Sequence, residues 1–274
     1  LFAGGSISKD FAPHAVKAGA VVIDNSSAFR MDPEVPLVVP EVNPQAILKH
    51  KGIIANPNCS TIIMVMALKP IYDLAKIKRV IVSTYQAVSG AGKEGIDELD
   101  AQVRDHSEGR EMTANILPSA SAEKHYPIAF NLIPQIDVFC DNLYTKEEMK
   151  MVNETKKIME DYEMRITATT IRVPVYRSHS ESVNIELEKE VDLGAMREAL
   201  AKFPGVTVQD DPSKQEYPMP LYTSEKDDVY VGRLRRDESC EKSYNIWVVG
   251  DQIRKGAALN TLQIAETMIK NGWI

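Results

Sequence analysis

A chain of 274 residues with a formal net charge of −7, its acidic and basic residues mixed along the whole length, offers no basic face for nucleic acid or anionic lipid. Its 44% apolar and 26% charged composition is that of a folded globular protein long enough for two packed units, which excludes a disordered or low-complexity polymer. Cys59, Cys140 and Cys240 are odd in number and far apart, against a disulfide framework or a CxxC metal site, and no apolar run reaches the roughly 18 residues of a membrane span; the reading is a reduced, cytoplasmic protein with a small-molecule partner.

The chain opens on Leu1-Phe2-Ala3-Gly4-Gly5, which reads as the end of a buried strand and a glycine turn, entered in mid-fold. To Pro57 the pattern alternates strand and helix, as in a parallel α/β layer: a helix from Phe11 to Ala18 stopped by Gly19, strands at Ala20–Ile23 and Leu37–Val39, and a helix opened by Asn43-Pro44 and ended at Gly52. After the strand Ile53–Ala55 comes Asn56-Pro57-Asn58-Cys59. An apolar stretch from Ser60 to Leu74 is long enough for a buried helix, kinked or restarted at Pro70. Arg79–Val88 reads as a strand, Gly92–Val103 as a helix, and Thr145–Asp161 as an amphipathic helix with Thr145-x-x-Glu148 as its capping box. Ile166–Tyr176, Val183–Glu188, Val229–Arg235 and Asn245–Val249 read as strands of a mostly antiparallel or mixed sheet with helices on one side, and Ala257–Lys270 as a last helix packing back on the first unit.

Cys59 is open to two readings, a small buried filler or a nucleophile. A strand, a sharp turn and then a helix start would aim free N–H groups at its sulfur, lowering its pKa and holding an oxyanion. A thiol nucleophile needs a proton-transfer partner. His14, His50 and His106 lie in polar surface stretches and His125 is undecided, whereas His179 follows a strand carrying Arg172 and Arg177 and enters a polar turn of Ser178, Ser180 and Ser182. Arg172 and His179 are seven apart, so a regular strand would send them to opposite faces; sharing a pocket requires a redirecting turn at Arg177-Ser178. Weaker signals are the Ser89-Gly90-Ala91-Gly92 loop, Arg30 as an anion ligand, and Glu147 with Lys150 on one helix face.

In order, Asn56-Pro57-Asn58-Cys59-Ser60-Thr61, Ser83-Thr84-Tyr85-Gln86-Ala87-Val88-Ser89-Gly90-Ala91-Gly92, Arg172-Val173-Pro174-Val175 and His179-Ser180-Glu181-Ser182 give the chain a resemblance to the aspartate-semialdehyde dehydrogenases, from residue 1 to the last helix. The resemblance implies a partial doubly wound Rossmann-type domain joined to an α+β catalytic and dimerisation domain. It divides the chain at residues 1–58, 59–250 and 251–274, the last packing back on the nucleotide domain. It implies reduction of L-4-aspartyl phosphate to L-aspartate 4-semialdehyde and phosphate, with NADP as cofactor, in the biosynthesis of lysine, threonine and methionine, by a cytoplasmic homodimer or homotetramer. Cys59 would be the thioester nucleophile, Gln86 a substrate-positioning residue, Arg172 the α-carboxylate ligand and His179 the acid/base; Glu147 would hold the substrate amine, Arg30 and Lys150 the phosphate, and Ser89, Gly90, Asn260 and Gln263 the cofactor.

Family members open with a strand and a Gly-x-Thr-Gly-x-Val-Gly loop for the pyrophosphate. This sequence holds neither, so residues 1–58 are expected to be the second part of the cofactor domain. Two other readings stand beside the dehydrogenase: a catalytically silent dimerising domain without cofactor, and an N-acetyl-glutamyl-phosphate reductase. A cysteine hydrolase would need Cys and His but not the phosphate cations.

Overall fold

The computed structural model describes residues 4–274; Leu1 to Ala3, and the expected strand end there, lie outside the described residues. The first helix, α1, runs from Gly5 to Lys17, longer than the Phe11–Ala18 expected, so Gly5 opens a helix rather than closing a turn. Strands β1 (Val22–Asp24) and β2 (Ile53–Ala55) pair in parallel, in register Val22 with Ile53. Leu37–Val39, expected as a strand, contributes only a bridge from Leu37 to Ala55, because Pro36 and Pro40 bracket it. The helix expected after Asn43 is a six-residue 3-10 turn, Pro44–Lys49. Asn43 does not cap it: its side chain accepts the Val39 N–H and donates to the Leu37 carbonyl, tying down the preceding loop.

Helix α2 (Cys59–Leu74) starts one residue before the expected Ser60 because Asn58 is its cap, taking the Thr61 N–H on Oδ1 at 3.1 Å. Pro70 lies inside it. Eleven of its residues are buried, and it forms the spine of the larger core with Val80, Val82, Ile185 and Val248 of the sheet beneath. That sheet has six strands in the order β4-β3-β5-β8-β7-β6, where β3 is Ile77–Gln86, β4 Arg165–Arg172, β5 His179–Leu187, β6 Val206–Val208, β7 Val229–Arg236 and β8 Ser243–Gly250. The β3–β4 and β6–β7 pairs are parallel and the others antiparallel, so the sheet is mixed. Helices α3 (Lys93–Ser107), α4 (Lys146–Met159), α5 (Leu193–Lys202), the one-turn α6 (Pro220–Thr223) and α7 (Leu259–Asn271) complete the chain. The Thr145–Glu148 capping box that opens α4 is formed in both directions. Helix α7 follows a π-turn at Arg254–Ala258 and buries Ile264 and Met268 against Val38, Ile47 and Ile54, beside the two-stranded sheet.

β4 ends at Arg172, short of the expected Tyr176, since Pro174 has no N–H for the ladder. The chain then reverses through Ser178, whose φ of +69° is left-handed, and re-enters the sheet at His179. Ser180 and Ser182, expected in a polar turn, therefore lie on β5.

Candidate functional site

Three strand ends meet above α2. Gln86 ends β3 and pairs with Arg172 at the end of parallel β4; on its other side Tyr85 pairs with Ser180, which sets Gln86 level with His179. Partners in register point to one face, so Gln86, Arg172 and His179 all face α2. The reversal at Ser178 meets the condition set by their odd spacing: they come from two strands, not one. Cys59 enters the same space from the first turn of α2, half-buried at the wall of a cavity of about 250 Å³ that Arg30, Asn58, Ser89, Gly90, Gln252 and Gly256 help to line.

The Asn-Pro-Asn turn is clamped from α4. Asn58 donates its backbone N–H to Glu154 at 2.6 Å and its Nδ2 to Glu147 at 2.9 Å, while Arg30 pairs with Glu154 at 3.2 Å and donates Nε to the Asn56 carbonyl at 2.9 Å. Glu147 also accepts from Gln86 at 3.3 Å and pairs with Lys150 at 3.1 Å; Lys150 in turn meets Asp137 at 3.0 Å. Of the pair singled out on one face of α4, Glu147 is inside, only 5% exposed, and Lys150 is half-buried. Burial opposes ionisation of Glu147, but Lys150 and the Asn58 and Gln86 amides outweigh it and hold the carboxyl below its usual range. Burial pushes Glu154 up despite Arg30.

Arg172 is 4% exposed and donates Nη1 to the Ala87 carbonyl at 2.6 Å, leaving Nε without a partner. His179 is fully buried, and its Nδ1 accepts the Ala87 N–H at 3.1 Å. A backbone N–H is always a donor, so Nδ1 is the bare nitrogen and the neutral ring carries its proton on Nε2, which has no partner. Burial, then the Arg172 charge, pull His179 well below its ordinary value, which keeps the ring neutral. Gly90 makes this packing possible: a Cβ there would lie 2.7 Å from Arg172 Nη1 and 3.3 Å from His179 Cε1.

One expectation is reversed. The thiol of Cys59 is not lowered by the helix start; burial, and next the Glu147 carboxylate, push it up to about 12, with Arg30, the Ser60 N–H and Arg172 pulling the other way.

Ser89 accepts from Gln252 at 2.5 Å, and Gln252 in turn accepts the Ser178 N–H at 2.9 Å, tying the Ser89–Gly90 loop to the reversal before His179. Asn260 is fully buried with its amide nitrogen committed to the Val38 carbonyl and Asn56. Gln263 is half-buried, its oxygen accepting from Lys255 at 2.6 Å. His14 and His106 are exposed, and His125 meets the Ser119 carbonyl in a loop. Sequence reading passed over Asn58, Glu154 and Gln252; the signal available for Glu154 was its spacing, since Glu147, Lys150 and Glu154 at i, i+3 and i+7 put a polar stripe on one face of α4. Among the described residues no cluster is suited to a metal ion and no helix is long and apolar enough to cross a membrane.

The family model "Semialdehyde dehydrogenase, dimerisation domain" matches residues 68–255, and "Semialdehyde dehydrogenase, NAD binding domain" matches residues 1–50. The aspartate-semialdehyde dehydrogenase of Aquifex aeolicus is 57% identical over 99% of this chain and 79% of its own length. That of Bacillus subtilis is 54% identical over 98% of this chain and 78% of its own length. The chain belongs to the aspartate-semialdehyde dehydrogenase family. A crystal structure of aspartate semialdehyde dehydrogenase II from Vibrio cholerae, complexed with ASA, superposes with a TM-score of 0.92 at 48% identity, covering 98% of this chain and 78% of that one. The chain is accordingly a nicotinamide-dependent oxidoreductase of amino-acid biosynthesis, with a mixed α/β fold that includes a dimerisation domain.

Proposed function

We propose that the site reduces L-4-aspartyl phosphate to L-aspartate 4-semialdehyde and phosphate with NADPH, by way of a thioester on Cys59. What carries this reading is the convergence of Cys59, Gln86, Glu147, Arg172 and His179 on one face above α2. Arg172 offers its unpartnered Nε edge to the planar α-carboxylate, a two-pronged match that lysine lacks. Glu147, ionised and buried, takes the α-ammonium, and Gln86, bonded to Glu147, positions the substrate between them. Arg30 and Lys150 supply the cations for the phosphate.

Attack by the Cys59 sulfur on the acyl carbon expels phosphate, which carries the thiol proton away with it, and leaves the thioester. The nicotinamide end of a dinucleotide would lie beside Cys59 in the cavity that Ser89 and Gly90 help to line, with the Gln263 amide nitrogen, which has no partner among the described residues, as a donor to it. Bound NADPH supplies a hydride to the acyl carbon. His179 holds the oxygen that gains charge by a hydrogen bond from Nε2–H, and collapse to the aldehyde releases the Cys59 sulfur as a thiolate that takes its proton back from solvent. When the substrate carboxylate meets Arg172, the charge that depresses His179 is neutralised, and the ring becomes a better acid/base at that moment.

The proposal extends to organisation: residues 1–58 as the second part of the dinucleotide domain, 59–250 as the catalytic and dimerisation domain, and 251–274 as a helix returning to the first, supported by the apolar cluster shared by α7 and the two-stranded sheet. It further takes the protein as a cytoplasmic homodimer or homotetramer. The test is incubation with aspartyl phosphate without NADPH. Stoichiometric phosphate release and an acyl adduct on Cys59 by mass spectrometry are expected, with neither in Cys59→Ser; an adduct elsewhere, or turnover retained in the variant, refutes the thioester.

A further inference from the structure

Lys255 is a buried cation that the reaction above does not use. It lies in the π-turn between β8 and α7 and is 1% exposed, yet its ammonium is fully engaged: 2.6 Å from Glu41 Oε2, 2.6 Å from Gln263 Oε1 and 3.1 Å from Asn260 Oδ1. An ammonium has three N–H donors and no acceptor, so each of these contacts must be to an oxygen. That requirement decides the orientation of two amides. With its oxygen held by Lys255, Asn260 has its nitrogen free for the Val38 carbonyl at 3.0 Å and for Asn56 at 2.7 Å, in the turn that presents Cys59. Gln263, held in the same way, has its nitrogen left over, with no hydrogen-bond partner among the described residues. The next residue, Gly256, lies against the nucleophile, since a Cβ there would come within 3.0 Å of Cys59 Cβ. A π-turn inserted before a helix is a common way of aiming residues at a site.

We propose that Lys255 is a positioning residue of the nicotinamide end of the site: its ammonium fixes the Gln263 amide with the nitrogen outward, toward the carboxamide oxygen of the dinucleotide, and locks the Asn260 amide onto the Cys59 turn. This rests on the dinucleotide reading given above. A neutral side chain at 255 frees the Gln263 amide to turn over and present an acceptor where a donor is needed, and it strands Glu41 beside the π-turn.

The test is a double-mutant cycle of Lys255→Met and Gln263→Met, read by NADPH fluorescence titration without turnover. Each single change is expected to weaken NADPH binding about tenfold and the double change no more than either, because Lys255 acts through Gln263. Steady-state kinetics of Lys255→Met should show the KM for NADPH raised with the KM for aspartyl phosphate unchanged, a split that general loosening of the fold does not produce. Glu41→Gln with Lys255→Met leaves no charge stranded and serves if the single change does not fold. Gln263→Glu keeps an oxygen for Lys255 but puts an anionic acceptor where the outward donor was; it too should lose at least about tenfold. Wild-type binding in any of these variants, or additive losses in the cycle, overturns the assignment. A wild-type protein with no NADPH response overturns the dinucleotide reading, and the Lys255 assignment with it.

Discussion

Replacing Glu147 by Gln should make the free enzyme's nucleophile more reactive while making the enzyme worse. Burial is the larger cause of the raised Cys59 pKa and the Glu147 carboxylate the second. At about 12, against a reference of 9.0, the thiolate fraction at pH 8 is about 10⁻⁴. A carboxylate sharing a pocket with a thiolate at ~6 Å and an effective dielectric near 20 opposes it by about 3 kcal/mol, and by less where solvent enters, so about one to two pKa units belong to its charge. Glutamine keeps an oxygen for the Asn58 amide and removes that charge; Lys150 keeps Asp137 as a partner. Iodoacetamide alkylation of Cys59 followed against pH should therefore shift its midpoint down by about one to two units and run roughly 10- to 100-fold faster at pH 8. In the same variant the KM for the semialdehyde should rise, because the α-ammonium has lost its counter-charge. An alkylation midpoint that stays put or moves up refutes the claim that Glu147 holds the thiol protonated.

Gly90→Ala places a methyl within 2.7 Å of Arg172 Nη1 and against His179, so kcat/KM should fall at least about tenfold while the melting temperature changes little; full activity would show that the loop has room to move. Glu181 is fully buried with neither carboxyl oxygen partnered, and burial holds its pKa well above 4.5. The folded state therefore binds this proton more tightly than the unfolded one, so the associated stability is present below about pH 4.5 and is lost as pH rises toward the folded value. Glu181→Gln, which never ionises, should match the wild type in urea unfolding near pH 4 and become progressively more stable than it as pH rises; a pH-independent difference would contradict this.

Much of this was legible locally. The Thr145–Glu148 capping box marked the start of α4, and the apolar run after Cys59 marked α2, because both signals lie within one helical turn of what they predict. Where a side chain had another partner, local reading failed: Asn43 resembles a helix cap but is bonded to the loop before it, and Leu37–Val39 is apolar enough for a strand but flanked by prolines. Helix α5 was missed although Asp192 caps it through the Gly194 and Ala195 N–H groups, and β6 is only three residues long. The site itself depended on register. Nothing local in Gln86, Arg172 and His179 says that two strands flank a third at one level, and the left-handed Ser178 that makes it so is a residue type seldom found there.

The misjudged thiol pKa is the most informative of these failures. Position at a helix start does favour a thiolate, and the Ser60 N–H contributes in that direction, yet burial and one carboxylate override it. Glu147 is also the group assigned to the substrate's ammonium, so the charge that suppresses the nucleophile is the charge that the right substrate cancels. An acyl phosphate lacking the α-ammonium leaves Glu147 with Lys150 as its counter-charge, as in the free enzyme, and meets a protonated thiol. By this logic the discrimination against such substrates appears in the acylation rate as well as in binding: desamino analogues should lower kcat, not only raise KM, and Glu147→Gln should narrow that kcat ratio toward unity. An analogue penalised in KM alone would leave Glu147 as a binding residue with no hold over the sulfur.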